Sequence, residues 1–338
     1  MHVGKRYPLR EVLKWTRKDI LILLAIAFAP TAAYTLLGWQ WLAIPWYPVA
    51  LLGTAVAFIV GFKNNASYDR LWEARKIWGA IVNTSRAWGL MVNDFVQPDA
   101  GTPPQEQLRA HQEQLALRHF AWLTALRFSL RERRTWETIY QPENTAFRER
   151  WFHVEEQNGT LKSELQKYLS PAELEEVLQK SNRAAAVLAL QSQHLRMLFN
   201  QQVLNNFRFI EMERTVMAFL DQQGGCERIK NFPYPRQYAT ANQYFTRVFV
   251  LLIPLGMLQE FHAMGDYLVW LTVPFSALAA WIFTTMEKIG ESSENPFEGS
   301  ANDVPITTIS RAIEIDLRQT LRLGDVPEPI QPENNILV

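Results

Sequence analysis

Several kinds of residue and motif are scarce in this chain, and each scarcity excludes something. There is one cysteine, Cys226, so no intrachain disulfide can form. Its expected place is a small buried thiol. Neither sign of charge is in excess: 34 Lys and Arg stand against 34 Asp and Glu, which removes the basic footprint of a nucleic-acid binder. No HExxH, GxSxG, phosphate-binding loop or dinucleotide fingerprint occurs in a suitable context. His153 lies near Glu155 and Glu156, but no metal-ligand spacing develops around it. The chain is therefore read as a non-enzyme, with no catalytic residue, cofactor or metal. The most informative lack is local. From Ile20 to Phe62 there is no Asp, Glu, Lys or Arg, a run that a soluble domain seldom carries.

Roughly 20 apolar residues cross a bilayer as helix, so this run holds two spans. The first is expected over about Ile20–Leu37, interrupted by Pro30, and the second over about Leu42–Phe62. Trp39, Trp41, Trp46 and Tyr47 fall in Gly38–Pro48, an aromatic-rich turn at the outer face that overlaps the blurred start of the second span. Two more spans are expected late in the chain, over about Tyr244–Gln259 and Tyr267–Met286, the latter with Pro274 near its centre. Lys5, Arg6, Arg10, Lys14, Arg17 and Lys18 precede the first span, and Lys63, Arg70, Arg75 and Lys76 follow the second. By the excess of Lys and Arg, both clusters face the cytoplasm. Four spans then leave both termini inside, in a multi-pass protein of the inner (plasma) membrane. Pro8–Lys18 suits a short amphipathic surface helix, and no small-residue cleavage site precedes the first span.

The second span contains Gly53, Thr54, Ala55, Ala57 and Gly61, small residues that let other helices approach. Thr54, Phe58 and Phe62 recur every fourth residue and share one stripe. The stripe has two readings: packing against helices or lipid, or a hydrophobic constriction in a ring of identical helices, where dewetting gates conduction. Beyond it, Asn64 and Asn65 offer either interfacial hydrogen bonds or polar contacts to passing ions. Lys63 favours anions if it faces a pore and has little effect if it faces protein or headgroups.

Residues 64–96 keep a helical pattern, so the second span is expected to continue out of the membrane. Gln97–Gln105 reads as a loop, and a packed helix follows over Leu115–Phe128. Arg127, Arg131, Arg133 and Arg134 are assigned to a solvated face, and Tyr140–Gly159 to irregular chain. Ser170, Pro171 and Glu173 make a helix start with a capping box. One long helix is expected over Arg183–Leu220, stopped by Gly224 and Gly225, with His194 an ordinary packed or solvated histidine inside it.

Three stretches carry a family resemblance: GFKNNASYDRLWEAR after the second span, GGCERIKNFPYP before the third, and GESSENPFEGSANDVPITTISRAIEIDLRQTL after the fourth. In this order, and over about Lys5 to Leu321, the chain resembles the bacterial bestrophins. The resemblance implies an all-α membrane protein: four transmembrane helices per subunit plus a large helical cytoplasmic region, assembled as a homopentamer around a central pore. It also implies an ion channel whose second span lines a hydrophobic neck, at positions matching Thr54, Phe58 and Phe62. Thr54 departs from the family's aliphatic residue there and should make the outer entry wetter. A cytosolic aperture is implied at Ile210. Eukaryotic members bind activating calcium after the Asn-Pro-Phe motif. Here that stretch runs Glu298, Gly299, Ser300, Ala301, Asn302, Asp303, too few carboxylates for a calcium site. The tail stripe of Ile306, Ile309, Ile313 and Leu317 is expected to dock on a neighbouring subunit.

Together these features divide the chain into a cytoplasmic segment 1–19, the first two spans 20–62, a helical cytoplasmic region 63–243, the last two spans 244–286 and a tail 287–338. The expected function is a pentameric channel for small monovalent ions, with chloride-like anions slightly favoured and no calcium activation. A cation-selective channel of the same fold, or a non-conducting membrane scaffold or transporter, stays open. Expected partners are monovalent ions, membrane lipids and further copies of the chain.

Overall fold

A computed structural model of the chain describes residues 1–98, 105–138 and 142–338. The regular structure of the described residues is helical, joined by turns and irregular segments with isolated bridges. Four helices are long and apolar enough to cross a membrane. Helix α1 (Leu9–Trp15) leads into the first of them, α2 (Arg17–Leu36). Pro30 sits inside α2 and leaves Ile26 O without its usual N–H donor, while the Thr31 and Thr35 hydroxyls donate back to Ala27 O and Thr31 O within the same helix. After a 3-10 turn at Gln40–Leu42, α3 runs without a break from Trp46 to Phe95, 50 residues. At 1.5 Å per residue that is about 75 Å, against a hydrocarbon core of about 30 Å. The helix must leave the membrane, as the helical pattern of residues 64–96 implies.

The other two spans are α11 (Arg236–Met264) and α12 (Thr272–Ser292). Helices α2 and α3 each pack on α11 and α12, which pack on each other, around Leu23, Val49, Val56, Val60, Phe249 and Ile253. Small residues allow this. A Cβ on Gly53 would meet the Phe249 ring at 2.6 Å, and one on Gly256 would meet Trp46 and Val49 at 3.0 Å.

Outside the spans, α3 becomes the spine of a second core. Helix α4 (Gln105–Arg131) packs on α9 (Arg183–Asn200), and α10 (Asn206–Asn231) packs on both α3 and α9. Trp78, Trp88, Trp122 and Phe219 are fully buried where these helices meet. Trp122 Nε1 donates to Gln223 Oε1 at 2.9 Å. Shorter helices α5 (Pro142–Trp151), α6 (Glu155–Asn158), α7 (Leu161–Leu165) and α8 (Pro171–Leu178) cover the flank. Ser170 and Glu173 form the capping box of α8 that the sequence implies. The chain ends with α13 (Ile306–Thr320) and an extended tail.

Several expectations are corrected. The long helix over Arg183–Leu220 is two helices: the chain turns at Gln202, with φ 59°, and Asn205 caps α10 through a hydrogen bond from Arg208 N. Gly224 and Gly225 do not stop that helix. They lie inside α10, where a Cβ on Gly225 would meet Ile77 at 3.0 Å, so the glycine serves close packing on α3. The third span is 29 residues long rather than short, because polar residues continue the helix at both ends of the apolar stretch. Gly265, at φ 146°, ends it. Pro274 falls in the first turn of α12, where its missing N–H has no helical partner to lose. Tyr140–Gly159 contains α5 and α6 rather than irregular chain; residues 139–141, like 99–104 of the expected loop, lie outside the described residues. Arg127 and Arg131 are buried, not solvated. Finally, Ile306, Ile313 and Leu317 are buried in the subunit's own core, where α13 packs on α3 and α4. These three residues of the stripe are therefore spent within the subunit, with Ile309 partly buried beside them.

Candidate functional site

Helix α3 buries one face and leaves the other open along its whole length. The buried side carries Gly53, Val60, Ser67, Ala74, Ile81 and Trp88 at intervals of seven. The open side carries Leu51, Phe58, Asn65 and Trp72, and beside them Ala55, Phe62, Asp69, Lys76, Asn83 and Leu90, again at intervals of seven. A straight α-helix drifts about 20° per seven residues, so faces that hold this interval wind gently to the left. The open side therefore stays on one aspect of the subunit from the membrane to the far end of the helical region.

Thr54, Phe58 and Phe62 all lie on that open side. Phe58 is 65% exposed and Phe62 69%. The Thr54 hydroxyl donates to Ala50 O at 3.0 Å, so its lone pairs remain as acceptors for water. Gly61, between the two phenylalanines, has nothing within 4 Å of its Cβ position. The face is narrow in chemistry: apolar rings at Phe58 and Phe62, then amide and charge from Asn65 onward.

The polar residues that follow the stripe divide. Asn65 is exposed on the open side. Lys63 is not on the open side: it is 2% exposed and pairs with Glu287 of α12 at 2.8 Å. It lies one position past Phe62, about 100° round the helix, and points into the subunit. Asn64 also turns toward α12, where its Oδ1 lies against Gly290 and is buried without a hydrogen-bond partner. Burial with a well-placed opposite charge is the condition under which a lysine tolerates a dry site.

Ile210 lies on an open stripe of α10 with Phe207, Arg214 and Met217, and is 38% exposed. Helix α10 runs antiparallel to α3. Arg208 donates to Gln97 O, Thr215 to Met91 Sδ and Gln222 to Thr84 Oγ1. Ile210 thus sits near the Phe95 end of α3, about 33 residues and about 50 Å along the helix from Phe62.

Several anchoring groups escape a sequence reading because their partners are remote. Arg70 donates to three carbonyls, those of Ile229, Phe232 and Glu294, at 2.9–3.0 Å, tying α3 to the end of α10 and to the tail. Arg228 pairs with Glu73. Arg127 pairs with Glu156 at 2.5 Å, and Arg131 with Asp303 at 3.8 Å. Asp303 also accepts from Gly299 N, Ser300 N and Ser300 Oγ, and Glu298 accepts from Thr138 N and Asn295 Nδ2. Both carboxylates are thus held by protein donors. Among the described residues, no three His, Cys, Asp or Glu gather as a metal group. His194 is buried against Arg118 and His111, and burial followed by Arg118 pushes it down to about 3. It stays neutral across the physiological range.

Comparison with known proteins gives one consistent result. The sequence model described as Bacterial/Fungal Bestrophin protein matches residues 10–319. The voltage-dependent anion channel-forming protein YneE of Escherichia coli K12 is 26% identical over 302 residues, 86% of this chain and 85% of that protein. A voltage-dependent anion channel-forming protein of Ralstonia nicotianae is 29% identical over 282 residues, 82% of this chain and 79% of that one. A crystal structure of a bacterial bestrophin homologue from Klebsiella pneumoniae has the same fold, with TM-score 0.73 and 21% identity, covering 90% of this chain and 98% of that one.

Proposed function

The chain belongs to the bacterial and fungal bestrophin family, and from that premise we propose that it is a homopentameric ion channel with α3 innermost and a hydrophobic neck at Thr54, Phe58 and Phe62. The observation that carries the reading is the continuity of the open face of α3. Lipid explains exposed Phe58 and Phe62, but lipid ends where the hydrocarbon ends. The same face continues through Asn65, Asp69, Trp72 and Lys76, where only water or other copies of the chain can meet it. A symmetry axis along α3 accounts for both halves.

In this arrangement the phenyl rings offer no ligand to replace an ion's hydration shell, so a narrow neck resists wetting. Thr54 wets the outer entry. Asn65 and the charged positions beyond it meet ions after the neck, and Ile210 forms a second constriction about 50 Å further along. Small monovalent anions are favoured slightly, as the names of the relatives suggest. The spans lie in the inner membrane with both termini in the cytoplasm, on the side where the Lys and Arg clusters collect. Calcium does not activate the channel, because Glu298 and Asp303 are engaged by protein donors. The test is reconstitution. Protein of native mass corresponding to five subunits should conduct in planar bilayers, with equal currents under calcium chelation and at micromolar calcium. A conducting monomer, a silent pentamer, or a steep calcium response would each overturn the corresponding part.

A further inference from the structure

A cavity of about 310 Å³ lies where α1, α5, the last turn of α12 and the loop after α12 meet. Its volume is at the lower end of the range for small-molecule sites. The wall is formed largely by Tyr7, Val12, Trp15, Phe147, Phe152 and Ile289. Its level is fixed by the spans. Trp15 ends α1 with only Thr16 between it and α2, Ile289 belongs to the last turn of α12, and Lys288 pairs with Asp19 at 2.5 Å, which sets those two helix ends side by side. The cavity therefore lies at a membrane boundary, beside the hydrocarbon.

Among the described residues, one charged group on this wall makes no ion pair. Arg148 lines the cavity, its Nη1 is fully buried, and that atom makes no hydrogen bond. Its side chain is in no ion pair among the described residues. Leaving a buried donor unmade costs roughly 1–3 kcal/mol, and more when it is charged, so such an atom calls for a partner. The nearby polar groups are already committed. Asn144 accepts from Trp15 Nε1 at 3.1 Å and donates to Thr138 O at 2.9 Å.

We propose that this cavity binds a single-chain lipid carboxylate, a fatty acid, with the alkyl chain along the aromatic wall and the carboxylate on Arg148. The planar fork of a guanidinium matches a carboxylate with two parallel hydrogen bonds. Glu298, also on the wall, does not repel it at neutral pH: burial, then Asp303 and Glu137, push its carboxyl up to about 8. The small volume favours one chain over the two of a phospholipid.

The test uses full-length protein in phosphatidylcholine nanodiscs, with bound palmitate read against empty discs. Palmitate should bind saturably, and hexadecanol, with the same chain and no charge, at least tenfold more weakly. R148Q should erase the preference for palmitate over hexadecanol while leaving hexadecanol binding intact. Ala301, on the cavity wall, offers a second variant: A301W fills the space and should weaken both ligands tenfold or more. Equal binding of the acid and the alcohol to the parent protein overturns the proposal, as does R148Q with its preference unchanged. Displacement of palmitate by phosphatidylglycerol overturns the single-chain assignment in favour of a phospholipid. A parent oligomer that takes up no palmitate, yet dissociates when Arg148 is replaced, shows that a second subunit fills the cavity instead.

Discussion

At the scale of single residues, Phe58 and Phe62 differ from their neighbours by what they do not touch. Both remain largely exposed while the opposite face of α3 is packed. If they are a barrier to hydration, Phe58→Ala and Phe62→Ala should each raise conductance or open probability severalfold, and the double variant most. If they are packing residues, the double variant at equal incorporation passes no more current than the parent. Glu298 gives a residue-scale test of stability. Its carboxyl is raised from 4.5 to about 8 in the folded protein, by burial first and then by Asp303 and Glu137. The folded state then holds a proton that the unfolded state releases above pH 4.5. Stability from this group is present below that value and is lost as pH rises toward 8. The melting temperature should fall between pH 5 and pH 8, and Glu298→Gln should flatten that fall by roughly 2 °C or more. A slope identical in parent and variant would remove Glu298 as its source.

At the scale of elements, what was legible in the sequence was whatever depends on nearby residues. The charge-free run gave two spans, the Phe stripe was assigned to one side of α3, and Ser170 with Glu173 capped α8 as their spacing implies. Long-range partners were not legible. Lys63 can be read as facing either a pore or the protein until Glu287, far along the chain, is brought against it. Arg127 and Arg131 look solvated until Glu156 and Asp303 arrive. Gly224 and Gly225 imitate a helix stop because glycine also serves close packing, and only the position of Ile77 separates the two uses. The seven-residue interval on α3 was missed because the aromatic stripe at every fourth residue is the louder signal. It yields its own prediction. With Cys226 buried, a cysteine added on the open side should be the reactive one. Asn65→Cys should give covalent dimers with a short bismaleimide, and Ser67→Cys, on the buried side, should give none. Equal yields from the two positions would mean that α3 does not face an axis in this register.

At the scale of the whole molecule, the 34 basic and 34 acidic residues cancel, so ion preference must come from where charge is placed. Lys63 is withdrawn by its pair with Glu287. In the proposed neck, Thr54, Phe58 and Phe62 carry no charge, so they should set how readily ions pass rather than which sign. Past the neck, α3 leaves Arg75, Lys76 and Arg86 exposed against Asp69 and Asp94. Arg86 is shared with Asp316 at 2.8 Å, which leaves Arg75 and Lys76 as the basic groups nearest the Asn65 end. Screening at physiological salt confines each charge to about 8 Å, so the expected result of a small local excess of this kind is a weak anion preference. Reversal potentials under a tenfold potassium chloride gradient measure it directly. The parent should reverse on the chloride side of zero. Lys76→Glu, which changes the local charge of each subunit by two, should carry the reversal potential toward that of potassium. Two controls separate placement from total charge. Phe58→Ala should raise current without moving the reversal potential. The double change Lys63→Met with Glu287→Met removes one charge of each sign from the interior and should move it by no more than a few millivolts. If Lys76→Glu leaves the reversal potential in place while the Lys63 and Glu287 double variant shifts it, ions follow a path past the buried pair, and the open face of α3 is not the conduction surface.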